Sequence, residues 1–352
     1  MFWLYTGFLT LVLGLLALDL GVFNRKAHII SVREAMAWST LWMSLALLFG
    51  VFVYFAYDAQ WLGLGTVVDP VDRVANDGAT AALKYVTGYL IELSLSVDNL
   101  FVMAVIFSSF AVPGIYQHRV LFWGILGALV MRGAMIGLGA VLIQRFHWIL
   151  YVFGAFLLYT AWGMLRYKVE SPDPNNNPLV RYARRHLPIT RNFHEQHFFV
   201  RAGSDAIRDG GRRDPALEEA APGTLLMTPL FLALLVVETC DVVFAVDSVP
   251  AIFSITADPF LVFTSNVFAI LGLRSLYFAL AGMLNRFHLL EVALAIVLGV
   301  VGLKMLTGHW LKDLLGPDSN FYLLGLVVFI LVGGVVASLV FPNHEEETGH
   351  EG

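Results

Sequence analysis

The sequence is poor in charge and nearly devoid of cysteine. Only 14% of its 352 residues are charged, against about 25% in an ordinary soluble domain. Its single cysteine, Cys240, excludes an intrachain disulfide framework and a thiolate metal cluster. There is no G-x-S-x-G, no H-E-x-x-H and no P-loop, so no enzyme activity is expected and ATP-driven pumping would need another subunit. The net charge is −5. That balance, and the lack of a basic face with interleaved aromatics, argue against nucleic acid as a partner.

What the chain has in abundance is apolar surface. Hydrophobic residues make up 58% of it, and the mean hydropathy is +0.73. A soluble protein of this composition would expose more apolar surface than water tolerates. A lipid-facing exterior removes that difficulty. Runs able to cross a hydrocarbon core of about 30 Å, roughly 20 residues each, can be placed nine times. They are 2–23, 35–57, 81–109, 119–143, 147–166, 226–250, 260–282, 290–307 and 320–341; eight or ten spans stay open. The first run lacks a basic n-region and an A-x-A site, and Arg25 and Lys26 follow it. It reads as a retained span, not a signal peptide.

Loop charge orients the spans. Arg25, Lys26 and Arg33 follow the first, and ten basic residues from Arg166 to Arg213 fill the loop after the fifth. Both loops should be cytoplasmic. The loop around Asp58, Asp69, Asp72 and Asp77 holds only Arg73. The expectation is a multi-pass protein of the bacterial inner membrane, with its N-terminus outside and the acidic tail His344–Gly352 inside. The loop 167–225 reads as too polar for a core of its own, with 202–223 disordered, and as a possible docking point for protein partners. Within it, His194 and His197 form an H-x-x-H that is incomplete as a zinc site and reads as a surface segment.

An internal repeat organises the rest. In the third span, Ser96-Val97-Asp98-Asn99 leads to Ile106-Phe107-Ser108, and in the sixth, Ala245-Val246-Asp247-Ser248 leads to Ile252-Phe253-Ser254. The following span in each copy carries an arginine, Arg132 or Arg274, and each copy then reads Arg-Phe-His, at 145–147 and 286–288. On this topology the third span enters from outside and the sixth from inside, so the units are inverted. The fold expected is all-α, with about nine spans and a 3+3 inverted repeat, the recurring architecture of secondary transporters. Its parts are two N-terminal spans (1–80), a first three-helix unit (81–166), the loop 167–225, a second unit (226–307), and a last span with the tail (308–352).

Five carboxylates fall within the third and sixth spans: Glu92, Asp98, Glu238, Asp241 and Asp247. Each would cost about 2.5–3.5 kcal/mol at a helix centre on insertion scales, so they must be paired, hydrated or ligated. Set against Arg132 and Arg274 as counter-charges, they leave a surplus of three negative charges, which calls for cations. Glu92 and Asp98 are six residues apart, as are Asp241 and Asp247. Six residues of helix separate two side chains by about 120°. Either two subsites exist or the helices break, and Pro250 makes a break plausible in the sixth span. The neighbouring polar groups are Ser96, Asn99, Thr239, Ser248 and Asn266. This all-oxygen set suits Mg2+, Ca2+ or Mn2+ over Zn2+ or Cu+. Cys240 reads as small-residue packing, and Asp19 as reaching the interface.

Three strings carry a family resemblance: Tyr89–Asn99 (YLIELSLSVDN), Val237–Phe253 (VETCDVVFAVDSVPAIF) and Thr264–Arg274 (TSNVFAILGLR). They resemble the TerC/Alx family of bacterial membrane proteins, and the likeness runs from about Asp19 through the last span. The family is named for tellurium resistance, and members of the Alx type are regarded as Mn2+ exporters. The resemblance implies that Glu92, Asp98, Glu238, Asp241 and Asp247 handle the metal, with Asn99 and Asn266 at matching polar positions. Cys240 stands where serine is expected. The function expected is export of a divalent cation, Mn2+ first, by alternating access; Mn2+ is cargo, and no resident cofactor is expected. The rival is a non-transporting scaffold in stress response or secretion, with a tellurium-oxyanion handler disfavoured because an acidic pocket repels anions.

Overall fold

The computed structural model describes residues 2–18, 31–146, 148–166, 187–203, 214–280, 288–315 and 319–341. Asp19, the tail 342–352 and the 147 and 286–287 positions of the Arg-Phe-His elements lie outside the described residues. So does the side chain of Asp98, although its backbone is helical.

The chain is mostly helical. The elements are α1 (Phe2–Leu18), α2 (Val32–Asp58), α3 (Gly78–Ser109), α4 (Gly114–Arg145), α5 (Ile149–Arg166), β1 (Phe199–Arg201), a short α6 (Pro215–Glu219), β2 (Leu225–Met227), α7 (Pro229–Phe253), α8 (Pro259–Leu280), α9 (His288–Leu315) and α10 (Ser319–Val340). Six helices, α2, α4, α5, α7, α8 and α10, are long and apolar enough to cross a membrane among the described residues. The 32 residues of α3 carry Lys84, Glu92 and Asp98, while α1 and α9 contain shorter apolar stretches.

Local chemistry sets the boundaries. Asp77 caps α3, its carboxylate accepting from the Thr80 N–H at 2.7 Å, which satisfies one of the free donors of a helix start. Pro229 and Pro259 open α7 and α8, where the missing N–H has no intrahelical partner to lose. Of the two alternatives left open for the third and sixth spans, a break at Pro250 does not occur in α7. Pro250 lies in the last turn of a continuous helix that runs to Phe253, so the hydrogen bond it forfeits is the one to Val246 near the end, and the segment from Asp241 to Asp247 is uninterrupted.

The packing centres on α8, which is enclosed by α2, α3 and α4. α7 lies against α3 and α4, and α9 packs against both α5 and α10. The α5–α9 crossing is close because Gly154 and Gly302 face each other: a Cβ at Gly302 would stand 2.9 Å from the Gly154 carbonyl oxygen. The second helix is part of the core: Trp42, Ala46, Val53 and Tyr57 are buried with Phe260 and Phe268 of α8. Large apolar side chains face outward, among them Leu47, Leu48, Val51 and Phe55 on α2 and Phe329, Val332 and Val336 on α10. That exterior matches lipid, not water.

The loop 167–225 contradicts its expectation in part. Residues 167–186 and 204–213 lie outside the described residues, but the remainder has a small core. β1 and β2 pair antiparallel, Phe199 opposite Met227 and Arg201 opposite Leu225. Val200, Ala202 and Leu226 are buried beneath Ala216, Leu217 and Ala220. His194 is 1% exposed, so it is no surface residue. Its Nε2 faces the Asp214 carboxylate at 3.3 Å. That carboxylate also accepts from the Arg191 and Asn192 N–H groups at 2.9 Å each and caps α6. Few apolar residues are needed because one buried carboxylate collects the loop's backbone donors.

Candidate metal site

The centre of the site is Arg132 on α4, 1% exposed. Its guanidinium lies between two carboxylates from different helices. It pairs with Glu92 of α3. On the other side, Nη2 donates to Asp241 Oδ1 of α7 at 3.1 Å and Nε donates to Oδ2 at 3.4 Å, the two-armed geometry for which arginine suits carboxylates. Nη1 also donates to Asn266 Oδ1 of α8 at 3.3 Å and to Ser248 Oγ of α7 at 3.4 Å. The Asn266 amide in turn donates to Glu92 Oε2 at 3.1 Å. Four helices thus meet in one buried polar knot.

The knot carries two carboxylates and one guanidinium, a formal surplus of one negative charge. Glu92 and Asp241 are 0% and 5% exposed, so that surplus is held away from water, where the effective dielectric is low. Gly88, one turn ahead of Glu92, backs onto Ile252 and Ser265, whereas Glu92 is joined through Arg132 to Asp241. Later residues of α3 therefore meet earlier residues of α7, and the two helices run in opposite directions.

The remaining acids diverge as an unbroken helix requires. Asp247, six residues after Asp241, accepts a 3.2 Å hydrogen bond from Thr160 of α5. Glu238 is half-buried and its carboxylate lies against Gly127 of α4, where any Cβ would collide with it. Asn99 is buried on α3. Arg274 is buried on α8, with Nη1 3.2 Å from His118 Nε2 on α4. A void of about 10 Å3 touches both Asp241 and Arg274, close to the least volume that holds one water. Cys240 packs at the edge of an apolar cluster, as its small-residue reading expects. Among the described residues, no group of three or more His, Cys, Asp and Glu side chains is close enough to hold a metal ion by itself. Glu92, Asp241, Asn266 and Ser248 come together; Glu238 and Asp247 stand on separate flanks.

Sequence reasoning missed a second polar knot. Lys84, inside the third apolar run, is 1% exposed. Its ammonium donates to Asp69 at 2.9 Å and to Asn76 at 2.6 Å, and pairs with Asp72 at 2.8 Å. Asp69 then accepts from the Thr256 hydroxyl at 2.5 Å and the Ala257 N–H at 3.0 Å, and Tyr57 donates to Asp258 at 2.8 Å. The loop before α3 is thereby fastened to the α7–α8 turn. Burial pushes the Asp69 carboxyl upward, but Lys84, Thr256 and Ala257 outweigh it and hold the group below the usual carboxylate range. Burial leaves Asp258 raised. Because Lys84 is engaged by loop acids, it does not neutralise Glu92 or Asp241. A lysine at an apolar helix position, set against a loop rich in aspartate, was the available signal.

A mostly helical protein with an apolar exterior, membrane-crossing helices and an acid pair buried around an arginine is an integral multi-pass membrane protein. The chain belongs to the integral membrane protein TerC family, whose profile matches residues 77–346. It is 44% identical over 341 residues to an uncharacterized membrane protein of Myxococcus xanthus, covering 97% of this chain and 93% of that one. It is 45% identical over 304 residues to an Escherichia coli K12 protein provisionally named membrane-bound redox modulator Alx, covering 86% and 85%. A Rickettsia bellii membrane protein is 34% identical over 336 residues, covering 96% and 97%. No solved structure matches.

Proposed function

We propose that this protein is a secondary transporter that exports a divalent cation, Mn2+ first, from the cytoplasm by alternating access. The observation that carries the reading is the meeting of Glu92 and Asp241 at the buried Arg132. These acids occupy equivalent positions in the two sequence repeats, each six residues ahead of the second aspartate. Two like-charged groups from opposed helices, held in one knot, form a site that either repeat can approach. Oxygen ligands from Glu92, Asp241 and Asn266, with Asp98, Asn99, Glu238 and Asp247 as further stations, suit a hard cation.

The packing supports nine spans in a 3+3 inverted arrangement. Exchanging α3, α4 and α5 for α7, α8 and α9 turns the α3–α8 contact into the α4–α7 contact, and both are extensive. It leaves α3–α7, α4–α8 and α5–α9 as they are, and these too are formed. Loop charge favours the inner membrane with the N-terminus outside.

The test is flux. Purified protein in liposomes should pass Mn2+, and Glu92→Gln or Asp241→Asn should reduce it at least tenfold with the protein still folded. Unchanged flux in both variants removes the acid pair from the pathway. Wild-type protein without flux, and with a cellular phenotype that depends on 167–225, would favour the scaffold reading. A redox role, as in the name of the Escherichia coli relative, would draw on Cys240, so Cys240→Ser discriminates it.

A further inference from the structure

We infer that Arg132 is a tethered cation that exchanges places with the transported ion, filling the acid pair whenever the carrier returns without metal. The inference rests on the transport reading above and assigns Arg132 a role which that reading does not require.

The geometry supplies the argument. The guanidinium occupies the space between Glu92 and Asp241 and pairs with both. An ion bridging those carboxylates must take the same place, since Ser248 and Asn266 close the knot around the guanidinium and the void beside Asp241 holds only about 10 Å3. Metal and guanidinium therefore compete. Arg132 keeps a neutral acceptor when displaced, because Ser248 Oγ already receives Nη1, and its long flexible stem allows the head group to shift. With a divalent ion on the two carboxylates the knot's formal charge moves from one negative to one positive, and the hydrogen bond to Ser248 holds the displaced guanidinium beside the acids it has left. In the reverse direction, Arg132 spares the carrier from crossing with two uncompensated buried carboxylates, an arrangement that apolar surroundings penalise heavily.

A merely structural arginine and an exchanging one predict different kinetics. Without the tethered cation, the carrier can reorient loaded but not empty. It should then swap Mn2+ for Mn2+ across the membrane while failing at net efflux. The experiment loads liposomes containing the full chain with MnCl2 and measures both net efflux into metal-free buffer and exchange of labelled Mn2+ against external MnCl2. For Arg132→Gln, net efflux is expected to fall at least tenfold while exchange stays within about threefold of wild type, and MnCl2 should raise the melting temperature more than it does in wild type. Arg132→Lys, which keeps the charge but lacks the two-armed grip, is read if the glutamine variant does not fold. Its exchange-to-efflux ratio should also rise. A ratio equal to wild type in the folded variant, or loss of exchange and efflux together, overturns the inference and leaves the transport reading standing. Wild-type vesicles that move no Mn2+ in either assay overturn the transport reading, and this inference with it.

Discussion

Asp69, in the loop before α3, accepts a 2.5 Å hydrogen bond from Thr256 at the α7–α8 turn, 187 residues later in the chain. This contact fastens the start of one repeat to the middle of the other, on the side where α3 begins and α7 ends. Because the folded-state pKa of Asp69 is depressed, its contribution to stability is present at neutral pH. It is lost as pH falls below the ordinary aspartate value of about 3.9 and on through the folded pKa. Thermal midpoints of detergent-solubilised protein between pH 7 and 3 should fall for wild type and fall less for Asp69→Asn. Asp258, whose pKa is raised, acts in the opposite sense, and comparison with the single variant isolates Asp69. Parallel curves for the two proteins would disprove the assignment.

Asp69, Asp72 and Asn76 all converge on the Lys84 ammonium. Replacing the lysine with methionine keeps the length and removes the charge. Breaking a buried pair by deleting one partner typically costs about 3–5 kcal/mol. Lys84→Met is therefore expected to lower unfolding stability by an amount of that order, measured by denaturation in detergent. A change under about 1 kcal/mol, the scale of an exposed pair, would show that Lys84 is hydrated.

Gly302 and Gly154 let α5 and α9 approach until a Cβ on either would meet the other's backbone or side chains. Gly302→Val should destabilise by about 1–3 kcal/mol through overpacking, with the midpoint of thermal unfolding reading the loss. Gly299, whose nearest neighbour at that position is the Ala161 methyl at 3.9 Å, should accept alanine with little effect. Equal responses at the two positions would contradict the close crossing.

Cys240 sits beside Asp241 in sequence yet packs among Val237, Leu234 and Phe244 in an apolar cluster. Cys240→Ser should leave Mn2+ flux within about twofold of wild type, because the side chain contributes volume and no ligand. Loss of flux, or flux that follows the redox potential of the buffer, would bring the redox reading forward.

The helices themselves were readable because an uninterrupted apolar run of bilayer length leaves the backbone few alternatives. The equivalence of Glu92 and Asp241 was readable from six-residue spacing, and the 120° divergence it implies is what sends Asp247 to Thr160 instead of Arg132. Of the two alternatives the spacing left open, the break at Pro250 is absent because a proline in a final helical turn removes a bond near the helix end, where continuity is easily kept. Arg132 was legible as a counter-charge, but which two of five acids it would join depends on how four helices pack. That depends on small residues such as Gly88 and Gly127, whose neighbours lie far along the chain. The folded part of 187–227 escaped composition because its order rests on Asp214 collecting two backbone N–H groups and a histidine.

The most direct test is to locate the ion. Crystals of the protein grown with MnCl2, and measured at a wavelength where manganese scatters anomalously, should show a peak between the Glu92 and Asp241 carboxylates with the Arg132 guanidinium moved off them. Manganese bound only outside the membrane-spanning helices, with Arg132 still clasped by both acids at saturating metal, would contradict the proposed pathway.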